Sequence, residues 1–298
     1  MSTGRVVCVL GRELLVEADG GNLLRATPAG RMKIRGTREM PVAGDLVQLR
    51  STSRGTAIVG IEPRTNVFTR TGYRGAPIPV VANLELLVVV ISAAAPAPSL
   101  SMLDRFLVVG ERGHLRCTVC LNKIDLVPSP PPELAVYPGI GYPLVVTSAL
   151  TGQGMEDLHA ALRGRVTAMV GPSGAGKSSL VNAILGSHAQ QVREISAKIQ
   201  RGRHTTTSSR MLPLEGGGHL VDTPGLGWLG TPPSSAAELA ELFPEFRRLR
   251  ERCRFGDCRH VQEPGCGVKA AVEAGSVAPH RYASFFTLAG EASSDNRG

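Results

Sequence analysis

The sequence predicts a multi-domain protein in three parts: an OB-like β-barrel over residues 1–75, a central α/β domain over residues 80–230 and a mostly helical domain over residues 231–298. Three observations predict this division. The first part alternates short apolar runs with turn residues. The second alternates apolar strands with helical segments, which is typical of a parallel sheet. The third carries a charged stretch over residues 238–252 that is expected to be helical, a group of cysteines with a histidine, and a tail over residues 291–298 that is expected to be frayed. A chain of 298 residues is long enough to form these domains.

The barrel is predicted from five strands in the first part of the chain. The turn Asp19-Gly20-Gly21-Asn22 is suited to a hairpin, and five strands in this span fit the OB-fold, a frequent nucleic-acid platform. A basic loop over residues 31–38 separates the third strand from the fourth, and residues 64–79, which are rich in glycine and proline, are expected to form a linker. The predicted strands are 5–10, 13–17, 23–26, 45–50 and 56–61.

The positive charge is concentrated in the N-terminal part. Residues 1–80 hold 12 Lys and Arg against 6 Asp and Glu, a net charge of +6, whereas residues 81–230 hold 12 against 10 and residues 231–298 hold 9 against 9. A basic surface of this kind favours a polyanion as partner, although it is also compatible with a merely soluble basic face. Because aromatic residues, which stack on bases, are sparse there, we expect the barrel to recognise the phosphate backbone and the shape of an RNA and not its base sequence.

A phosphate-binding loop follows the apolar run 166–170. Residues 171–178 match G-x-x-x-x-G-K-[ST], in which glycines let successive backbone N–H groups surround a phosphate. Lys177 is expected to reach the β- and γ-phosphates and Ser178 to ligate Mg²⁺. A glycine-rich turn without a ligand is disfavoured by the strand before the loop and the helix after it. The predicted phosphate-binding residues are Gly171, Pro172, Ser173, Gly174, Ala175, Gly176, Lys177, Ser178 and Ser179.

The base is predicted by a second loop, Asn122-Lys123-Ile124-Asp125, after the strand-like run 115–121. A carboxylate at Asp125 can accept two N–H bonds from guanine, a donor pair that adenine lacks. Ser148 and Ala149 follow another apolar run, 144–146, and are expected to line the base side. Asn122 and Asp125 therefore favour a guanine-nucleotide site over a general P-loop ATPase.

Two further loops complete the set. Asp222-Thr-Pro-Gly225 follows an apolar run and offers a carboxylate beside Mg²⁺ and a glycine N–H for the γ-phosphate. Thr205-Thr206-Thr207 lies in the place of a first switch, and Thr206 is the residue that we expect to close on Mg²⁺ and the γ-phosphate. A disordered polar loop is the alternative, and both descriptions can hold in different nucleotide states.

A metal site is predicted near the C-terminus. Cys253, Cys258, His260 and Cys266 form a complete Cys₃His tetrahedral set, which leaves no position for water and therefore indicates one structural zinc. The segment is short of large apolar residues, so zinc would take the place of a core. Cys117 and Cys120, by contrast, point to opposite faces of a predicted strand, and they are expected to be core residues, as is Cys8.

The order of these loops departs from that of ordinary small GTPases, in which the phosphate loop comes first. Here NKID and the Ser148 loop precede the phosphate loop, the Thr run and DTPG, and the predicted helix 155–162 leads directly into the phosphate-loop strand. The cyclic order of the motifs is preserved, and only the position of the domain's termini within that order differs. Together with the Cys₃His set, this order resembles the circularly permuted ribosome-biogenesis GTPases of the RsgA (YjeQ, EngC) family over roughly residues 1–285.

The resemblance implies an enzyme that hydrolyses GTP to GDP with Mg²⁺ and acts on the small (30S) ribosomal subunit and its rRNA, where it assists or checks late maturation. Ordinary GTPases orient the attacking water with a Gln after the DxxG motif, but this chain has Leu226. The resemblance points to His204 instead, although a lone loop histidine can also be an exposed bystander. Lys177 and Asp222 are the other catalytic candidates.

Other partners and compartments are constrained by composition. The longest apolar run, residues 86–95, is about half of the ~20 residues that a membrane span needs. No secretion signal opens the chain and six cysteines do not make a disulfide scaffold, so we expect the cytoplasm. We also expect a monomer and no DNA partner. Two rival functions stay open: a GTPase acting on another RNA or a protein, and a non-enzymatic RNA-binding protein that uses GTP as a structural ligand.

Overall fold

The computed structural model describes residues 2–29, 32–34, 37–53, 55–71, 77–186, 209–222 and 235–295. It contains two compact units, each built from separate stretches of the chain. The first unit comprises Met1–Leu86, His159–Met169 and Val181–Leu226, and the second comprises Leu87–Leu158, Val170–Leu180 and Gly227–Gly298.

The first unit contains the predicted barrel. Its strands are β1 (Ser2–Leu10), β2 (Glu13–Ala18), β3 (Leu23–Pro28), β6 (Leu46–Thr52) and β7 (Gly55–Ile61). β1 pairs with β2 and β6, β2 with β3, β3 with β7 and β7 with β6, so the five strands close on themselves. Alternate side chains point inward, and the barrel is filled by Val6, Leu14, Val16, Ala26, Val47, Leu49 and Ile58. The five-stranded barrel is confirmed.

Two predicted connections contain short hairpins. The basic segment 31–38 was predicted as a loop, but it holds β4 (Met32–Ile34) and β5 (Thr37–Glu39), which pair antiparallel. The predicted linker holds β8 (Val67–Thr71) and β9 (Pro77–Ala82), also antiparallel. Proline is tolerated on a strand that lacks a neighbour on one side, which explains why a segment rich in proline still forms a ladder.

A second group of strands in the first unit lies beside the barrel. β13 (Arg165–Val170) runs parallel to β15 (Gly218–Asp222), and β15 pairs antiparallel with β14 (Arg210–Pro213). β14 in turn pairs with the barrel strand β1, with Cys8 opposite Arg210. The barrel and the β14–β15 hairpin therefore belong to one hydrogen-bonded sheet.

The second unit begins with three neighbouring strands. β10 (Leu86–Ser92) is buried along its whole length, β11 (Arg116–Asn122) follows it in the sheet, and β12 (Leu144–Val146) runs parallel to β11. Between β10 and β11 lies helix α1 (Leu100–Arg112); of the two serines that could cap it by sequence, Ser99 and Ser101, Ser99 does so by accepting a hydrogen bond from the Met102 N–H. Cys117 and Cys120 are buried free thiols within β11, and Cys8 is buried in β1, as expected for core residues.

Three further helices flank the strands. They are α2 (Val136–Gly139), α3 (Met155–Leu162), which begins and ends where the sequence predicted, and α4 (Lys177–Leu185). Short 3₁₀ turns cover Ile124–Leu126 and Pro132–Ala135.

The C-terminal helices pack around a small aromatic core. α5 (Ala236–Glu241), α6 (Pro244–Arg247), α7 (Gly267–Glu273) and α8 (Pro279–Asp295) surround Phe243, Phe246 and Phe285. The sequence predicted one helical stretch over 238–252, but Pro244 opens a new helix after a break, and Arg250–Arg252 forms a 3₁₀ turn. α8 continues to Asp295 and so extends into the segment that was predicted to be frayed from residue 291. Within the described ranges, no helix is long and apolar enough to cross a membrane.

A buried arginine joins α1 to the C-terminal helices. Arg281 of α8 is 1% exposed, and its guanidinium bonds the Asp104 carboxylate of α1 at 2.6 Å and the Glu245 carboxylate of α6 at 2.7 Å. The same Asp104 oxygen accepts a hydrogen bond from the Tyr137 hydroxyl. Burial alone lowers the pKa of Arg281, but the two carboxylates raise it above its ordinary value. The charges are therefore retained although they are removed from water.

Candidate functional site

The phosphate loop lies between β13 and α4 in a conformation that requires glycine. Gly171 has φ of +147°, and a Cβ there would lie 2.0 Å from the Val90 carbonyl oxygen. At Gly176, with φ of +91°, a Cβ would lie 2.3 Å from the side-chain nitrogen of Asn122. Both positions therefore exclude any larger residue, and the backbone approaches its neighbours as closely as the motif predicts.

Lys177 opens α4 and turns its amine back onto the loop. The Nζ atom donates to the carbonyl oxygens of Gly171 at 2.7 Å and Pro172 at 2.8 Å. Burial lowers the pKa of this lysine. The amine is thus held beside the loop that is expected to bind phosphates, where it satisfies its donors with backbone oxygens.

Asn122 ties the second loop to the phosphate loop. It ends β11, is buried, and donates from its amide nitrogen to the Ala175 carbonyl at 3.1 Å. Its amide oxygen accepts from the Ala149 N–H at 3.2 Å. One side chain therefore joins the NKID loop, the Ser148 loop and the phosphate loop. A buried amide with both ends bonded is a strong positioning element.

Asp125 presents its carboxylate at the surface of this junction. The buried Ser148 hydroxyl donates to one carboxylate oxygen and in turn accepts from the Thr151 N–H. Lys123 adopts the left-handed conformation, with φ of 64°, which turns the chain so that the 3₁₀ turn carrying Asp125 can begin. Ile124 packs inward and is buried. The carboxylate thus has one fixed partner and remains open to a ligand.

These loops enclose one cavity of about 390 Å³, a volume in the range of small-molecule sites. Two apolar side chains at its edge are strongly exposed, Leu150 at 86% and Leu126 at 54%. Leu126 was not among the predicted site residues; its position directly after NKID was the only available signal. The cavity is lined by Asn122, Lys123, Asp125, Leu126, Ala149, Leu150, Gly176 and Ser179.

Asp222 ends β15 and has a cationic neighbour across the hairpin. It lies opposite Arg210 of β14, and the Arg210 Nε atom is 2.9 Å from a carboxylate oxygen of Asp222. The carboxylate is about half exposed. His204, Thr206, Gly225 and Leu226 lie outside the described residues.

The four predicted zinc ligands converge. One ligand atom from each of Cys253, Cys258, His260 and Cys266 lies within 4.8 Å of the others, and the His260 Nδ1 atom is 3.4 Å from the Cys266 sulfur and 3.6 Å from the Cys253 sulfur. Zinc bond lengths place tetrahedral ligand atoms about 3.3–3.8 Å apart. Burial raises the pKa of the Cys258 thiol, and the neighbouring thiols raise it further. A cation is what would favour thiolates here, so the cluster fits one structural zinc.

The backbone supports this cluster from outside. The Gly267 N–H donates to the Cys253 sulfur at 3.3 Å, and the Tyr282 hydroxyl donates to the His260 carbonyl at 2.9 Å. The Glu263 carboxylate accepts from the N–H groups of Val261 and Gln262. Burial opposes ionisation of Glu263, but the backbone donors of the same loop lower its pKa to about 2. The Glu263 carboxylate therefore holds the loop between His260 and Cys266 in place through the N–H groups of that loop.

A phosphate loop and an NKID loop that line one cavity, with the motifs in a cyclically permuted order along the chain, define a circularly permuted P-loop GTPase. Comparison with known proteins supports this class. The family described as RsgA GTPase matches residues 61–232. The chain is 41% identical over 299 aligned positions to the small ribosomal subunit biogenesis GTPase RsgA of Gemmatimonas aurantiaca, an alignment that covers 97% of each protein.

Two solved structures share the fold over nearly the whole chain. The crystal structure of YjeQ from Thermotoga maritima has a TM-score of 0.80 at 33% identity and covers 98% of both chains. That of YloQ, a circularly permuted GTPase, has a TM-score of 0.79 at 28% identity and covers 98% of this chain and 95% of the other. The chain belongs to the RsgA GTPase family. Its reaction is hydrolysis of GTP to GDP with Mg²⁺, which disfavours a non-enzymatic role for the nucleotide.

Proposed function

We propose that this protein binds the small ribosomal subunit and its rRNA, assists or checks a late step of maturation, and leaves when GTP is hydrolysed. The nucleotide part rests on one observation: Asp125 of the NKID loop and Gly176 of the phosphate loop line the same cavity. The ribosomal part is supported by the names of the relatives, which are small ribosomal subunit biogenesis GTPases.

We assign the base to the NKID side of the cavity. Asp125 accepts the two guanine N–H groups, while Asn122 and Ser148 hold the loop and the carboxylate in place. Lys123 and Ala149 line the sides of the base. An Asp held in one orientation discriminates against adenine because adenine leaves the carboxylate without its donors.

We assign the phosphates to residues 171–179. Backbone N–H groups of the loop and the positive end of α4 attract them, and Lys177 exchanges its bonds to the Gly171 and Pro172 carbonyls for phosphate oxygens. In the second switch, Gly225 contributes a backbone N–H to the γ-phosphate, as its place in DTPG predicts.

Ser178 and Thr206 are the residues that would hold Mg²⁺, with Asp222 nearby. Hydroxyl and carboxylate oxygens are the donors that this hard cation prefers, so the residues fit the ion. When bound, Mg²⁺ neutralises charge on the phosphate oxygens. His204 is our candidate for orienting the attacking water, since Leu226 has no amide that could do so.

The division into residues 1–75, 80–230 and 231–298 gives each proposed role its own domain. The barrel, with its excess of positive charge, contacts rRNA. The zinc domain has weaker support as an RNA contact, because Arg259 is 3.3 Å from Glu263 and Arg250 pairs with Glu241. We expect a cytoplasmic monomer with no DNA partner.

The test is GTP hydrolysis with purified small subunits, purified large subunits and tRNA in parallel. We expect stimulation by small subunits alone. Stimulation by tRNA or by large subunits, with none by small subunits, would contradict the proposal and indicate a different RNA partner. Competition between GTP and ATP in the same assay tests the nucleotide assignment independently.

A further inference from the structure

The β14–β15 hairpin occupies a special place in the first unit. β14 begins at Arg210, immediately after the segment that carries the predicted Thr switch, and β15 ends at Asp222, the first residue of DTPG. The two strands are therefore attached at one end to both predicted switches. A change in either switch on loss of the γ-phosphate acts on the ends of this hairpin.

The barrel contacts the same hairpin at two points. In the first, strand β1 pairs with β14, with Cys8 opposite Arg210. The second is a side-chain contact: the Glu17 carboxylate of β2 lies 2.7 Å from the His219 Nε2 atom of β15. Backbone pairing and a side-chain pair thus join the predicted RNA-binding barrel to the strand that ends at Asp222.

The Glu17–His219 contact is largely shielded from water. The His219 side chain is 11% exposed and that of Glu17 is 26% exposed. His219 Nε2 has no hydrogen-bond partner among the described residues, so its contact with Glu17 is a close approach of the two atoms without hydrogen-bond geometry. The imidazole beside it lowers the pKa of Glu17, and Arg5 of β1 lowers it further. A shielded carboxylate loses more when a close partner is removed than an exposed carboxylate does.

We propose that the Glu17–His219 pair couples the barrel to the switch hairpin, so that engagement of the barrel changes hydrolysis and the nucleotide state changes the barrel. Coupling between two sites is reciprocal for binding but need not be symmetric for a rate, so the response of the barrel to nucleotide and the response of hydrolysis to the barrel are measured separately. The identity of the ligand on the barrel rests on the proposed function, but the response of the barrel to nucleotide does not.

The variants are Glu17→Gln and His219→Gln, each of which removes the contact between carboxylate and imidazole at nearly constant volume. The matched control is Glu13→Gln, on the same strand, which breaks the 2.7 Å pair between Glu13 and Arg25 within the barrel. The first measurement is hydrogen exchange of β1 and β2 with GDP and with a non-hydrolysable GTP analogue. The second is GTP hydrolysis with and without purified small subunits.

We expect exchange in β1 and β2 of the wild type to differ between the two nucleotides, and the difference to disappear in both coupling variants and persist in Glu13→Gln. Stimulation by small subunits should fall at least about fivefold in the coupling variants, the lower end of typical coupling, with unchanged basal hydrolysis. The double variant should be no worse than either single one.

The results separate the two hypotheses. If small subunits do not stimulate the wild type, the proposed function fails, and the exchange experiment alone decides the coupling. Identical exchange of the barrel in both nucleotide states of the wild type would overturn the inference, and so would coupling variants that retain the exchange difference.

Discussion

Asp125 is the residue on which the choice of nucleotide depends. Its carboxylate is held on one side by Ser148 and is otherwise open to the cavity. Replacing one carboxylate oxygen by an amide nitrogen inverts half of the hydrogen-bonding pattern that guanine requires, while the shape of the side chain stays the same.

We therefore predict that Asp125→Asn weakens GTP binding by about 2 kcal/mol or more, about thirtyfold, because a guanine N–H then faces an amide N–H. The same variant should gain affinity for xanthosine triphosphate, which offers a carbonyl oxygen at that position. Titration of both nucleotides measures this. Asp157→Asn, an exposed change on α3, is the control. Undiminished GTP affinity in Asp125→Asn would remove the carboxylate from base recognition.

Single residues differ in how far the sequence could predict them. Gly171, Gly176 and Asn122 were predictable because the motif specifies both their type and their spacing. Leu126 of the cavity was not, since an exposed leucine carries no periodic signal. Arg210 and His219 were not predictable either, because their partners Asp222 and Glu17 are defined only by strand register.

At the scale of elements, the Cys₃His cluster fastens the loop between Cys253 and Cys266 to the aromatic core; the expectation that zinc takes the place of a core is wrong, because Cys258 and Cys266 pack in one cluster with the three phenylalanines. We predict one zinc per chain in the wild type and near zero in Cys258→Ser, because three ligands with one weak hydroxyl do not complete a tetrahedral site. Metal analysis after dialysis measures this. Asp257→Asn, an exposed non-ligand beside Cys258, should retain its zinc. A full equivalent of zinc in Cys258→Ser would contradict the ligand assignment.

Helices α1 and α8 are joined by the buried Arg281 network. Arg281→Met should lower the free energy of unfolding by about 3–5 kcal/mol, because it leaves Asp104 and Glu245 without their cation. Chemical denaturation of the full chain, with the wild type and the variant in parallel, measures the change.

The control uses another pair between the same two helices. Arg105 of α1 bonds Glu291 of α8 at 2.6 Å in a partly exposed position, and Arg105→Gln should cost at most about 1 kcal/mol. If the two substitutions lower the free energy of unfolding equally, burial does not determine how much the Arg281 network contributes to stability.

Elements were predictable where the local pattern was strong. The alternation of the barrel strands and the boundaries of α3 follow from periodicity and turn residues. The hairpins β4–β5 and β8–β9 escaped prediction, because glycine, proline and basic residues indicate loops even where a short ladder forms. The break before α6 was available in the sequence at Pro244.

For the whole molecule, the motif order was the most informative feature. Because the NKID loop, the Ser148 loop, the phosphate loop and DTPG each follow a strand, the cyclic order of these motifs specifies a nucleotide site even when the chain termini lie elsewhere. Tertiary contacts across the chain were not predictable in this way. The pairing of β1 with β14 joins residues about 200 positions apart, and no local signal specifies it.

The central claim is that one guanine nucleotide joins the NKID loop to the phosphate loop. A crystal structure of the full chain with GDP and Mg²⁺ tests it most directly. We predict guanine N1 and N2 within hydrogen-bonding distance of the Asp125 carboxylate, and the β-phosphate within the loop of residues 171–178. Guanine bound away from Asp125, or phosphates outside that loop, would contradict the account.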